Sequence, residues 1–155
     1  MHVEAWRETY QGLLPKTFLQ SMRADIHVRR WQAMLSDPAP DQVVLVAEGP
    51  QGVVGYCSGG DSRFRLPGEA EIATLYLLRS AQKQGLGRSL VQHAARVLAA
   101  RGAESLVISV LEDNANARGF YERLGGVAEA PRSGRGPGGV VYEVDYRWPA
   151  IAALT

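Results

Sequence analysis

Apolar residues recur along the chain with two periods, and the changes of period mark out its elements. Val3, Trp6 and Tyr10, with Arg7, share one face of a helix over residues 2–12 that Gly12 stops. The runs "LLPKTFLQSM" and "IHVRRWQAML" predict one or two further helices within 14–35, with Trp31, Met34 and Leu35 at helical spacing. A proline-rich connector, "SDPAPD", follows, and then "QVVLVAE" and "GVVGYCSGG", two strands joined by the turn "GPQG" as a hairpin. "DSRFRLPGEA" reads as a longer loop and "EIATLYLL" (71–78) as the next strand. Leu90, Val91, Ala94, Val97 and Leu98 fall at i, i+1, i+4, i+7 and i+8, an amphipathic helix closed at Arg101-Gly102. "SLVISVL" (105–111) is a short buried strand, and "NANARGFYERLG" (114–125) a helix closed by glycine. In "VVYEVDYRW" the residues Val140, Tyr142, Val144, Tyr146 and Trp148 alternate onto one face, as in a half-buried antiparallel strand. The order α, α, β, β, β, α, β, α, β, β predicts a mixed α/β fold in one domain over 1–155.

Composition narrows the class. At 155 residues, 46% hydrophobic and 21% charged, the chain suits one globular domain with a real core. No apolar run approaches the ~20 residues that span a bilayer, so no membrane association is expected. The opening "MHVEAWRETY" carries Glu4, Arg7 and Glu8 and lacks a signal-peptide core, which predicts a cytoplasmic protein. Cys57 is the single cysteine, so no internal disulfide can form, and with three scattered histidines it offers no metal-ligand spacing. It reads as a small core residue rather than a nucleophile. A net charge of +1 argues against nucleic-acid binding, which needs a concentrated basic face.

The chemistry centres on "QKQGLGRSL" (82–90), a glycine-rich turn between a strand and a helix. Unpaired N–H groups and a partial positive charge make the start of a helix a phosphate site, and glycine lets the backbone approach the anion. A nucleotide-binding P-loop is excluded, because the Lys-Ser/Thr pair that contacts phosphate and magnesium is missing. The dinucleotide fingerprint fits poorly, since Leu90 stands where its third small residue belongs. Further along, Asn114, Ala117, Tyr121 and Gly125 form a second constellation. At ~100° per residue, Asn114 and Tyr121 lie within about 20° of each other, with Ala117 beside them. Phe120 and Leu124 flank this stripe, towards the core. By themselves, Asn114 reads equally as an N-cap and Tyr121 as a core aromatic.

Gln82-x-x-Gly85-x-Gly87, followed by the Asn114–Ala117–Tyr121–Gly125 helix, resembles the Gcn5-related N-acetyltransferases (GNAT). "VEAWRETYQGLLP" looks like the first helix of members that act on small molecules, and "EIATLYLL" like their central strand. The resemblance implies a twisted, mostly antiparallel mixed sheet whose central strands splay apart, flanked by helices. Members usually have a strand before the first helix. This sequence begins inside that helix, so either the usual first strand is absent or the given sequence starts after it; a sheet without it would leave the neighbouring strand exposed or paired with a second copy in a homodimer.

The same resemblance implies a site for acetyl-CoA as co-substrate, with no metal. Leu75, Tyr76 and Leu77 would offer backbone bonds to the pantetheine arm and the acetyl carbonyl. Gln82, Lys83, Gln84, Gly85, Leu86, Gly87, Arg88 and Ser89 would wrap the pyrophosphate, with Asn114 and Ala117 beside the arm. The side chains of Lys83, Arg88 and Ser89 either assist or stay solvated. Tyr121 would be the acid for the leaving thiolate and would also line the cofactor site. Glu71, eleven positions before Gln82, would be the base for the amine, ahead of His2 and His27; His93 is expected on the surface. Trp6, Tyr10, Arg63, Phe64 and Arg65 would line the acceptor site, and Arg132 or Arg135 could attract an acidic group on it. The implied activity is direct acetyl transfer to a primary amine of a small molecule, ahead of a protein N-terminus or lysine. The alternative is a non-catalytic acyl-CoA-binding or sensing module, which would need the turn and Asn114 but neither Glu71 nor Tyr121.

Overall fold

The computed structural model describes the whole chain, Met1–Thr155. Three helices come first: α1 (His2–Tyr10), α2 (Lys16–Ser21) and α3 (Ala24–Ser36). The hairpin β1 (Val43–Gly49) and β2 (Gly52–Asp61) leads to β3 (Glu69–Leu77). After the glycine turn come α4 (Leu86–Ala100), β4 (Ser105–Leu111) and α5 (Ala115–Arg123). β5 (Val127–Ala128), β6 (Arg132–Gly136) and β7 (Gly139–Trp148) complete a seven-stranded sheet. The path across it is β1-β2-β3-β4-β7-β5, with β6 also paired to β7. Only β3 and β4 run parallel.

α4 packs on one face because its apolar residues recur at the helical period: Leu90, Val91, Ala94, Ala95 and Leu98 are all buried. They meet Ile72, Leu106, Ile108, Val110, Val144, Tyr146 and Trp148 from the sheet. Each fully buried Leu, Ile or Val contributes roughly 1.5–3 kcal/mol, so this layer is the main store of stability. A smaller cluster, Leu14, Leu19 and Met22, joins α1 and α2 to the opposite face, where Leu111 packs against it.

Three features depart from the sequence expectation. The last part of the chain carries three strands rather than two, because the two-residue β5 is too short to show a period. The β7 stripe is only half-buried in a literal sense: Val144, Tyr146 and Trp148 enter the core, while Val140 and Tyr142 are 70% and 56% exposed. The strand outruns its neighbours there, with only β6 beside it. α3 buries none of its residues. It stands over β1, an edge strand of the sheet, and a cavity of about 300 Å³ between them is lined by Val28, Trp31 and Leu35 with Val44, Val46 and Val53. No helix is long and apolar enough to cross a membrane.

Candidate active site

The centre of the sheet is open. β3 pairs with β4 only at Glu69–Glu71 against Ser105–Val107. Beyond that point β3 keeps β2 and β4 keeps β7, so the two central strands part. The divergence begins at a bulge. Ser58 lies opposite Thr74 but Gly59 opposite Ile72, which leaves Ala73 unpaired. Gly59 is required there, because a Cβ would collide with the Glu71 carbonyl oxygen.

The orientation of the β3 backbone follows from one hydrogen bond. Leu78 N–H donates to the Val54 carbonyl at 2.9 Å. Alternation along the strand therefore turns Tyr76 towards β2 and the N–H groups of Leu75 and Leu77 into the gap. The Leu77 carbonyl, on that same edge, accepts from Gln82 Nε2 at 3.1 Å. Of the three strand residues expected to line the cofactor, Leu75 and Leu77 thus present backbone donors. Tyr76 instead sends its phenol to the α1 side.

At the end of β3 the chain makes a tight turn into α4. Lys83 (φ 60°) and Gly85 (φ 83°) are both left-handed, a conformation glycine adopts without cost. The N–H groups of Lys83, Gln84, Gly85, Leu86, Gly87 and Arg88 have no acceptor in the protein, and the first helical bond is Ser89 N–H to the Gly85 carbonyl. Successive free N–H groups at a positive helix end form an anion cradle. Gly87 is buried, and a Cβ on it would lie 3.3 Å from both Leu77 Cδ1 and Phe120 Cζ. The Lys83, Arg88 and Ser89 side chains are exposed, as is His93, whose Nδ1 lies 2.8 Å from the Ser89 carbonyl oxygen.

α5 brings the second constellation to the gap. Asn114 is its N-cap: Ala117 N–H donates to Oδ1 at 3.2 Å. That bond fixes the amide orientation and leaves its NH₂ group to donate elsewhere. The N-cap reading of Asn114 is therefore the one observed. Tyr121 is 6% exposed and packs against Phe120, Tyr146 and Trp148, with ring centroids 5.3–6.3 Å apart. Its hydroxyl makes no side-chain hydrogen bond within the protein and, unlike Trp6 Nε1 and Glu71 Oε1, is not sealed from solvent. Burial, with smaller effects from Tyr10 and Cys57, raises it above the ordinary phenol range, so it stays protonated. Cys57 is wholly buried, its thiol pushed up to about 12 by burial, and is no nucleophile.

The face of β3 opposite α4 carries the remaining expected residues. Trp6 of α1 packs 4.9 Å from Tyr10 and 5.7 Å from Tyr76, and its indole N–H is buried without a partner. The Tyr10 and Tyr76 hydroxyls lie 2.8 Å apart. His2 sits further out, stacked 4.2 Å from His27, with Nδ1 2.7 Å from the Tyr56 hydroxyl. Burial, then His27, the N-terminus and Arg30, lower His2 from 6.5 to about 4. A depressed histidine favours the fold when neutral. Its contribution is whole above about pH 6.5 and is lost as pH falls towards 4. Urea titrations at neutral pH and near pH 4.5 should therefore show a smaller acid loss of stability in His2→Gln than in the wild type.

Glu71 is 4% exposed. Arg63 N–H donates to Oε2 at 3.1 Å, and the Arg63 guanidinium forms an ion pair with Oε1. Arg132 differs from its expected role. Asp145 and Glu143 flank it at 2.8 and 2.9 Å, so it is no free cation awaiting an acidic substrate. Arg135 and Arg65 are exposed, the latter left-handed at φ 55°. The polar residues Glu143, Asp145 and Arg147 of β7, together with Ser109, were missed in the sequence. Their signal was the second face of the β7 alternation, of which only the apolar side was read. No group of three or more His, Cys, Asp or Glu side chains is placed to hold a metal ion.

A sheet splayed at its centre, with a free-N–H turn at the mouth of the gap, defines an acyltransferase architecture, and known proteins agree. Residues 3–126 match the Acetyltransferase (GNAT) family. YuaI, an uncharacterised N-acetyltransferase of Bacillus subtilis, is 30% identical over 99% of this chain and 87% of its own length. In fold, the chain is similar to a putative GNAT acetyltransferase of Desulfovibrio desulfuricans (TM-score 0.71, 20% identity, 97% and 91% of the two chains). It is also similar to the PaiA N-acetyltransferase of Thermoplasma acidophilum, solved with coenzyme A (TM-score 0.66, 16% identity, 94% and 87%). The chain belongs to the GNAT family and is an acetyl-CoA-dependent N-acetyltransferase.

Proposed function

We propose that residues 1–155 form one N-acetyltransferase domain that moves the acetyl group of acetyl-CoA directly to a primary amine of a small molecule. The observation that supports this reading is the gap itself: β3 leaves β4 beyond Glu71, and the turn that follows carries successive N–H groups with no acceptor in the protein. A non-catalytic binding module would use the donors but leave a buried carboxylate and a free phenol unexplained.

Acetyl-CoA supplies an activated thioester. The turn residues Lys83–Arg88 hold its pyrophosphate through their N–H groups, and the Asn114 amide donates to the pantetheine arm. An N–H of Leu75 or Leu77 donates to the acetyl carbonyl and stabilises the negative charge that grows there as the amine attacks. Glu71 takes the proton of the ammonium, whose ordinary pKa near ~10.4 keeps it charged at neutral pH. Tyr121 donates to the departing thiolate. Each turnover therefore makes one C–N bond and breaks one C–S bond, and the ammonium loses two N–H protons: one leaves through Glu71 to solvent, and the other replaces the proton that Tyr121 gives to the CoA sulfur.

Thiol release from acetyl-CoA across a panel of small amines tests the function. Selective release with a subset of amines is expected, and release with none of them, nor with peptide N-termini or lysines, would favour the binding module. The turn has its own test. Gly87→Val crowds Leu77 and Phe120, which already stand 3.3 Å from a Cβ at that position, and should weaken CoA at least roughly tenfold, about 1.4 kcal/mol. Ser89→Ala, at an exposed side chain, should change it little. Calorimetric titration of folded Gly87→Val that returned wild-type affinity would refute the pyrophosphate assignment.

A further inference from the structure

We infer that the Arg63 guanidinium holds the place of the acceptor's ammonium group, so that a protonated alkylamine reaches Glu71 by displacing it. The inference rests on the reading of Glu71 as the group that meets the amine.

Three arginines line this face, and they are held differently. Arg147 pairs with Glu69 and Glu129, and Arg132 with Glu143 and Asp145. Their guanidinium carbons each lie 5.2 Å from the centroid of the Phe64 ring, which is clamped between them. Arg63 has Glu71 as its single carboxylate partner. Its side chain is 51% exposed, against 35% for Arg132 and 20% for Arg147. The backbone beneath it is fixed. Ser62 Oγ donates to Glu69 at 2.7 Å, Phe64 N–H donates to Ser62 Oγ at 3.2 Å, and Arg63 N–H holds Glu71. The Arg63 side chain can therefore swing away while its loop stays in place.

The pairing of the carboxylate suits such an exchange. Oε1 of Glu71 is buried, and the Arg63 guanidinium is the one cation paired with it. A buried carboxylate is costly without a paired cation, and the half-exposed Arg63 guanidinium supplies that charge. An alkylammonium group brings the same charge with three N–H donors on a compact head. The exchange is neutral in charge, and the displaced guanidinium moves to water with little desolvation to overcome. It favours acceptors that arrive as protonated amines over aromatic or acylated amines, which are uncharged at neutral pH.

The probe is methylammonium chloride, with sodium chloride at equal ionic strength as control, read by thermal unfolding of the full chain. Arg63→Ala leaves Glu71 with one backbone donor and should melt below the wild type. Methylammonium should recover part of that loss where sodium does not, because an ion bound only by the folded state raises its stability. Arg63→Ala combined with Glu71→Gln should show no such difference. Equal responses to the two salts in Arg63→Ala would overturn the inference. If that variant does not fold, Arg63→Gln supports the same comparison. In steady-state kinetics with an accepted amine, Arg63→Gln should lower the amine KM a few-fold, the scale of a half-exposed ion pair, and leave the acetyl-CoA KM alone. An unchanged or raised amine KM would count against it. Wild-type turnover in Glu71→Gln would end the base reading, yet a methylammonium response in Arg63→Ala would still establish the cation subsite.

Discussion

Tyr121→Phe is expected to bind CoA with wild-type affinity and to turn over roughly 10²-fold more slowly, the scale of general-acid catalysis. The structure makes this substitution informative. The hydroxyl makes no side-chain hydrogen bond within the protein, while the ring is packed against Phe120, Tyr146 and Trp148. Removing the oxygen therefore breaks no internal bond and should leave the melting temperature nearly unchanged. A purely structural tyrosine would be silent in rate as well. Burial holds the phenol protonated, so the wild-type group is in its donating form at any working pH. The loss should shrink with an acyl donor whose thiol is more acidic, because that group leaves without help. Pre-steady-state measurement at saturating amine separates the chemical step from product release. Equal chemical rates in Tyr121→Phe and the wild type would remove Tyr121 from the proton path.

Glu71→Gln should cost about 10²-fold or more in turnover with acetyl-CoA binding intact. Glutamine retains an oxygen to accept from Arg63 N–H but can neither take a proton nor pair with the guanidinium. Arg63 is half-exposed and can be solvated, so the structural cost should be small. The rate loss should narrow as pH rises between about 6 and 9, where a growing fraction of the amine is already free. A flat, wild-type profile in a folded Glu71→Gln protein would shift the proton to water or to another group. Such a result would leave the donor site untouched, since Glu71 lies at the paired end of β3 while the N–H donors lie beyond the bulge.

The parts of this site that were legible in the sequence are those built by local rules. Gly85 marks a left-handed turn, Asn114 an N-cap, and the α4 stripe a buried face, and each signal is contained within a few residues. The parts that were not legible depend on residues far apart in the chain. The Tyr10–Tyr76 contact joins residues 66 positions apart. Arg132 looked like a free loop cation until Asp145 and Glu143, on the neighbouring strand, were seen to hold it. The β7 alternation was read correctly as a period, but period alone does not say how far the opposing layer extends, and Val140 and Tyr142 run past it. The splaying of β3 from β4 had no sequence signature beyond the family resemblance. Its physical cause is the bulge at Ala73, which needs Gly59 on a different strand.

The central claim is that the gap between β3 and β4 and the turn beyond it receive the acyl donor through backbone N–H groups. Backbone amide resonances of isotopically labelled protein, followed during titration with CoA, test it most directly. The account predicts the largest shifts at Lys83 through Arg88 and at Leu75 and Leu77, with the Asn114 side-chain amide moving in step and α3 unchanged. Saturable binding that shifts the α3–β1 cavity instead, and leaves residues 83–88 in place, would contradict it.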